Sequence, residues 1–169
     1  MSAAVGTKTE LEQEIDRNIA FLKDRTADWG ALDFQAKIDP RYRRAQMRYL
    51  GQGGVAAKGA TNMLKAEHFT LSTMILPAGC EGPLHIHTDV EEVFFVLEGD
   101  ITFFWEKDGE TVTRTIGPRD LIFTPAGVWR GLRNDGETDG LMLVMLGAAK
   151  PVLPSYPEGS PLTEARNHK

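Results

Sequence analysis

Gly79-Cys-Glu-Gly-Pro-Leu-His-Ile-His-Thr-Asp-Val-Glu-Glu-Val-Phe-Phe-Val-Leu-Glu-Gly99 decides how the rest of the chain is read. It holds two of the four histidines, His85 and His87. Two residues apart on an extended strand, their rings project from one face and can meet a single ion. Glu92 opens the apolar strand Val93-Phe-Phe-Val-Leu97, and a short turn at Thr88-Asp-Val90 returns its carboxylate to the two imidazoles. Two nitrogens and one oxygen then form the 2-His-1-carboxylate set, which holds a divalent ion on one face and leaves other positions open, as in non-haem Fe(II) oxygenases. The competing reading is a polar pair at a loop edge beside a solvated strand start, and His-x-His alone does not beat it.

The frame around the three residues does. Gly79, five residues, His85, one, His87, four, Glu92, six and Gly99 is the spacing of the first cupin motif. Downstream, Arg119 to Asn134 parallels the second: Pro125, Gly127 and Asn134 fall in place, with Asp120 and the apolar Leu121-Ile-Phe123 between them. On these two motifs the chain resembles the cupin superfamily over about residues 66–147. Two departures stand out. Arg119 occupies the place of a glycine, with Gly117 two residues earlier, and Arg130 occupies the place where the family has its remaining histidine ligand.

Length and composition set the outer bounds. A chain of 169 residues suits one domain with a real core. Its 41% hydrophobic and 25% charged residues describe an ordinary globule. The net charge of -5 argues against a general affinity for nucleic acid, and no segment reads as a helix-turn-helix. Cys80 is the single cysteine, which excludes an internal disulfide, fits a reducing compartment and reads as a small loop residue. No secretory pattern opens the sequence, and the apolar run at Leu141–Leu146 is far below a membrane span, so a cytoplasmic protein is expected.

Taken in order, three regions are expected: a helical extension over residues 1–40, a barrel over 41–149 and a tail over 150–169. Thr9 to about Asp24 reads as a helix, with Thr9 and Glu12 as a capping box and Leu11, Ile15, Ile19 and Leu22 as a stripe to be packed on the barrel or a second subunit. Trp29, Leu32, Phe34 and Ile38 are anchors. Arg41, Arg43, Arg44 and Arg48 with Tyr42 and Tyr49 read as a solvated face or subunit contact. If Ala45–Leu50 is a strand, however, Arg48 faces opposite to Met47 and Tyr49 and can point inward. Gly51-Gln-Gly-Gly-Val-Ala56 matches a dinucleotide fingerprint only loosely and reads as a connection or lid near the barrel mouth. Lys65–Leu76 is a strand carrying His68, which is considered as an additional metal ligand.

Asp108-Gly109 marks a hairpin between Asp100–Glu106 and Thr111–Ile116. Strands apolar on both faces need cover outside as well as inside, which predicts a homodimer. Four prolines after Gly147 predict an extended tail, with His168 at its end no ligand. Short strands with turns between them indicate an all-β sandwich or barrel. The resemblance sharpens this to a double-stranded β-helix, a jelly roll with an N-terminal helix and the site at its mouth.

Arginine stays protonated and offers no lone pair, so Arg130 cannot replace the missing ligand. Strand alternation turns Arg130 and Leu132 inward. Three arrangements follow. His85, His87 and Glu92 hold an ion while Arg130 awaits an anionic substrate; or Arg130 pairs with Glu92 and displaces the metal; or Arg130 turns outward and His68 or water completes the shell. The first predicts a small-molecule dioxygenase with Fe(II), or with manganese, nickel or zinc in its place. Its substrate is a small aromatic or keto acid held by Arg130 between walls of Phe94, Val96, Phe123 and Leu132. The second predicts a metal-free binding module or a sugar-type isomerase. Fold alone does not choose between them, because the resemblance spans dioxygenases, isomerases, decarboxylases, lyases and non-catalytic proteins.

Overall fold

Alternation of inward and outward side chains builds the barrel. The computed structural model describes residues 7–52 and 63–167. Its strands among these residues are β1 (Ala45–Leu50), β2 (Thr70–Leu76), β3 (Glu81–His85), β4 (Glu92–Glu98), β5 (Ile101–Lys107), β6 (Glu110–Ile116), β7 (Leu121–Thr124), β8 (Trp129–Arg133) and β9 (Gly140–Leu146). They form two antiparallel sheets, β1-β2-β9-β4-β7 and β3-β8-β5-β6. This is the jelly-roll arrangement of a double-stranded β-helix.

Register lines the inward residues of the larger sheet into rows. Thr70, Leu146, Glu92 and Thr124 form one row, and Arg48, Ser72, Val144, Phe94 and Ile122 the next. The third runs Gln46, Met74, Met142 and Val96. Polar groups therefore crowd one end of the barrel and apolar groups fill the other. There Met74, Leu76, Val96 and Met142 pack against Ile101, Phe103 and Leu132 of the facing sheet. Phe94 and Phe103 meet across the gap at 5.2 Å, in the tilted geometry that aromatic pairs favour.

The hairpin between β5 and β6 forms as its sequence predicts, with Asp108 and Gly109 both at positive φ, as a type I′ turn requires. Asn134 is a tie: its amide donates to Leu76 O at 2.9 Å and Thr138 O at 2.8 Å and its carbonyl accepts from Gly136 N. Both ends of that buried side chain are thereby satisfied.

Outside the barrel the outcome differs from the sequence expectations. Helix α1 spans only Glu10–Arg17, although its capping box forms as predicted. Its stripe is not buried: Leu11 is 74% exposed in the single chain. The segment that follows binds the barrel edge through Asp28, which exchanges backbone hydrogen bonds with Gln46. A short helix α2 (Asp33–Ala36) then buries Gln35. The tail is not extended. Ser155 forms a bridge with Ile86, Tyr156 and Leu162 are buried, and helix α3 (Pro161–Asn167) contacts α2. Prolines between Lys150 and Pro161 exclude regular structure there but do not prevent packing. The proposed lid at Gly51–Ala56 lies largely outside the described residues. No helix among the described residues is long and apolar enough to cross a membrane.

Arg119 stands in left-handed backbone at φ 76°, the conformation that suits the glycine it replaces, while its amide donates to Val96 O at 2.9 Å. A side chain there carries a cost of about 1–2 kcal/mol. Glycine removes that cost but loosens the unfolded chain by about 0.4–1 kcal/mol. Arg119→Gly is therefore expected to raise the thermal midpoint by roughly 2 °C. A fall in the midpoint by scanning calorimetry would contradict this account of the turn.

Candidate metal centre

His85 ends β3, and His87 lies just beyond it on extended chain. Two neighbours hold this stretch. Ile86, between the histidines, exchanges backbone hydrogen bonds with Ser155 at 2.9 Å in each direction. The His87 carbonyl accepts from Gly127 N at 2.8 Å, and Gly127 takes the positive φ of the turn between β7 and β8. Glu92 enters from the first residue of β4. One donor atom from each of the three side chains lies within 4.8 Å of the others, and all three residues are buried.

The protonation states suit metal binding. His85 Nδ1 lies 2.8 Å from Pro83 O, so that nitrogen carries the proton and Nε2 presents its lone pair. Burial pushes His87 down to about 4 against the pull of Glu92, so the ring is neutral at pH 7. Its Nδ1 is buried with no hydrogen-bond partner. Burial also opposes ionisation of Glu92, but adjacent His85 and Arg130 outweigh it and hold the carboxyl at about 2. Glu92 Oε2 stands 3.8 Å from His85 Nε2, too long for a hydrogen bond. Adjacent donors around a divalent ion sit about 3 Å apart, given bonds of roughly 2.1 Å, so the widest pair needs to close by at most about 2 Å. Two imidazole nitrogens and an ionised carboxylate therefore converge as a set that fits a single divalent ion.

Arg130 lies directly opposite His85 in the pairing of β3 with β8. That is the inward position the missing fourth ligand would take. It is 1% exposed, its Nε donates to Glu92 Oε2 at 3.0 Å, and its Nη1 donates to Val128 O at 3.1 Å. The guanidinium is packed behind Glu92 and does not line the cavity, so the role of substrate cation expected for Arg130 is not what the geometry gives it. It positions Glu92 instead.

The cavity itself opens in front of the triad. About 90 Å³ is accessible to the centre of a water molecule. His85, His87, Glu92, Phe94 and Leu132 line it together with Thr70, Ser72 and Val144. Val96 lies deeper, in the core. Phe123 is 45% exposed on the outer face, because β7 pairs it with outward-facing Val93. His68 sits in solvent beside Glu67, with its side chain 86% exposed, outside the triad.

Arg48 reaches in from β1, as the facing of its strand allowed. Arg44 just before β1, Gln35 from α2, and Tyr156 and Arg166 from the tail are lining residues that were not anticipated. Gln35 Nε2 donates to Tyr156 Oη at 2.6 Å, joining the two roof segments. The basic strip is thus no uniform surface face: Arg44 and Arg48 turn inward, while Arg41 pairs with Asp39 and Arg43 stacks on Trp29. Strand parity held this signal, since Arg44, Gln46 and Arg48 share one phase. The roof had no sequence signal.

Comparisons with known proteins agree with the fold. Residues 72–146 match the family model of the cupin domain. A germin-like protein from Brassica napus is 33% identical over 72 residues, which is 42% of this chain and 35% of that protein. A solved DMSP lyase from Ruegeria pomeroyi is 27% identical at a TM-score of 0.55, with 70% of this chain and 54% of that one covered. Oxalate oxidase in complex with glycolate is 19% identical at a TM-score of 0.53, covering 67% and 54%. The chain thus spans about a third of the germin-like protein and about half of each of these structures.

Arg130→His would place an imidazole at the fourth ligand position and remove a cation from Glu92. Zinc or cobalt affinity by competition titration is expected to rise at least about tenfold. Unchanged affinity would show that this position does not address the ion.

Proposed function

The chain belongs to the cupin superfamily, and from that premise we propose that it is a mononuclear metal-dependent enzyme, a dioxygenase of a small anionic aromatic or keto acid. The observation that carries this reading is the convergence of His85, His87 and Glu92, buried, on one point of the cavity lining. A divalent ion bound there supplies Lewis-acid polarisation and, as the Fe(II) favoured here, access to dioxygen chemistry.

The chain's own residues do the rest. Pro83 O fixes the His85 tautomer, and Arg130 fixes the Glu92 carboxylate. Phe94, Leu132, Val144 and Leu146 give the cavity apolar walls that exclude water from the reacting end. The small volume selects a compact substrate.

A second reading, a metal-free ligand-binding protein or sugar-type isomerase, draws support from the 3.0 Å contact between Arg130 and Glu92, which neutralises the carboxylate without an ion. The two separate in one experiment. Protein purified without a histidine tag is analysed for metals, then loaded with Fe(II) and followed by oxygen uptake with benzoate-type and 2-oxo acids. The enzyme reading expects stoichiometric metal and substrate-dependent uptake, with His85→Ala losing both. Metal-free protein that takes up no oxygen with any of these acids would favour the second.

A further inference from the structure

We propose that Arg44 is the anchor for a substrate carboxylate, so that the cavity takes a small monocarboxylic acid by its acid end and presents the remainder to the triad. This rests on the reading of the cavity as a substrate site, and it moves the recognition of charge from Arg130 to a residue just before β1.

Arg44 lines the cavity at 6% exposure. Among the described residues it has no carboxylate partner. Its Nη1 donates to Tyr42 O at 3.0 Å, while its Nε is buried with no hydrogen-bond partner. A desolvated guanidinium in that state is costly unless something anionic meets it. Burial pushes it down only to about 10, so it keeps its charge at neutral pH.

The neighbours do not supply the missing anion. Glu92 is the one carboxylate among the described residues lining the cavity, and Arg130 already holds it. Two further cations line the same space, and each donates to backbone: Arg48 Nη1 to Gln52 O, and Arg166 Nη1 to Pro154 O at 2.5 Å. The lining is therefore rich in positive charge, a field that draws an anion in.

Size narrows the class. With roughly 10–15 Å³ for each water-centre position, 90 Å³ corresponds to about six to nine such positions, the bulk of pyruvate or benzoate but not of a fused-ring acid. Apolar Leu32, Phe34, Leu153 and Leu146 suit the uncharged body of such a molecule. A guanidinium fork suits its carboxylate.

Benzoate and pyruvate, with benzamide as the neutral isostere, test this by calorimetry on the chelator-treated chain and again after cobalt loading. At least one acid is expected to bind wild type in both states, with benzamide absent or far weaker, and Arg44→Gln is expected to weaken the acid at least about tenfold. Arg44→Lys, which keeps the charge, is expected to lose less, and it guards against a folding defect in the first variant. Binding of neither acid, equal binding of benzamide, or undiminished binding by Arg44→Gln overturns the proposal. Protein that takes no metal yet binds an acid through Arg44 overturns the metal reading alone; protein that holds metal and ignores both acids overturns this one alone.

Discussion

A carboxylate shut away from water has to be given positive charge by its surroundings, and in this barrel that carboxylate is Glu92. Arg130 provides the charge from the opposite sheet, at 3.0 Å. The consequence is a site that stays assembled whether or not an ion is present. Structural zinc sites behave differently, because their ligands have no internal counter-charge and unfold without metal. An ion bound here would compete with the guanidinium for the same oxygen, so the contact that satisfies Glu92 in the metal-free barrel would weaken the hold on metal. A histidine at this position would make the opposite choice.

Charge at one end requires grease at the other, and single strands encode both. Thr70 and Ser72 face the cavity while Met74 and Leu76 face the core, all on β2. On β4 the same progression runs Glu92, Phe94, Val96. Because the strands pair in register, these gradients add up into a polar mouth and an apolar floor. A slip of one residue would turn Glu92 outward and Val93 into its place, so the core packing of Phe94 and Val96 also fixes the aim of the Glu92 carboxylate.

Much of this was legible in the sequence. The convergence of His85, His87 and Glu92 was, because motif spacing converts directly into strand geometry, and the hairpin at Asp108-Gly109 was, because its turn type demands those residues. The inward position of Arg130 followed from alternation. Its partner did not: the same facing serves a substrate or Glu92, and only the 3.0 Å contact distinguishes them. Phe123 was misplaced for a different reason. Its strand spans only Leu121–Thr124, too short for pattern to fix which side faces in, and the pairing with Val93 decides it. The tail escaped altogether, since a bridge between Ser155 and Ile86 depends on contacts far apart in the chain.

That last contact shows how the family's shared part and this chain's particular part are joined. The cupin match spans residues 72–146 and so contains His85, His87, Glu92 and Arg130, but not Gln35, Arg44, Arg48, Tyr156 or Arg166. Every cation that lines the cavity comes from outside the matched stretch. Yet the two parts are not independent, because Ser155 pairs with Ile86, the residue between His85 and His87, and Tyr156 next to it reaches Gln35. A change in the roof is thus transmitted to the backbone that aims both imidazoles. Divergence of ligand preference in this chain can proceed through the roof without touching the triad, but it cannot proceed without bearing on the triad's geometry.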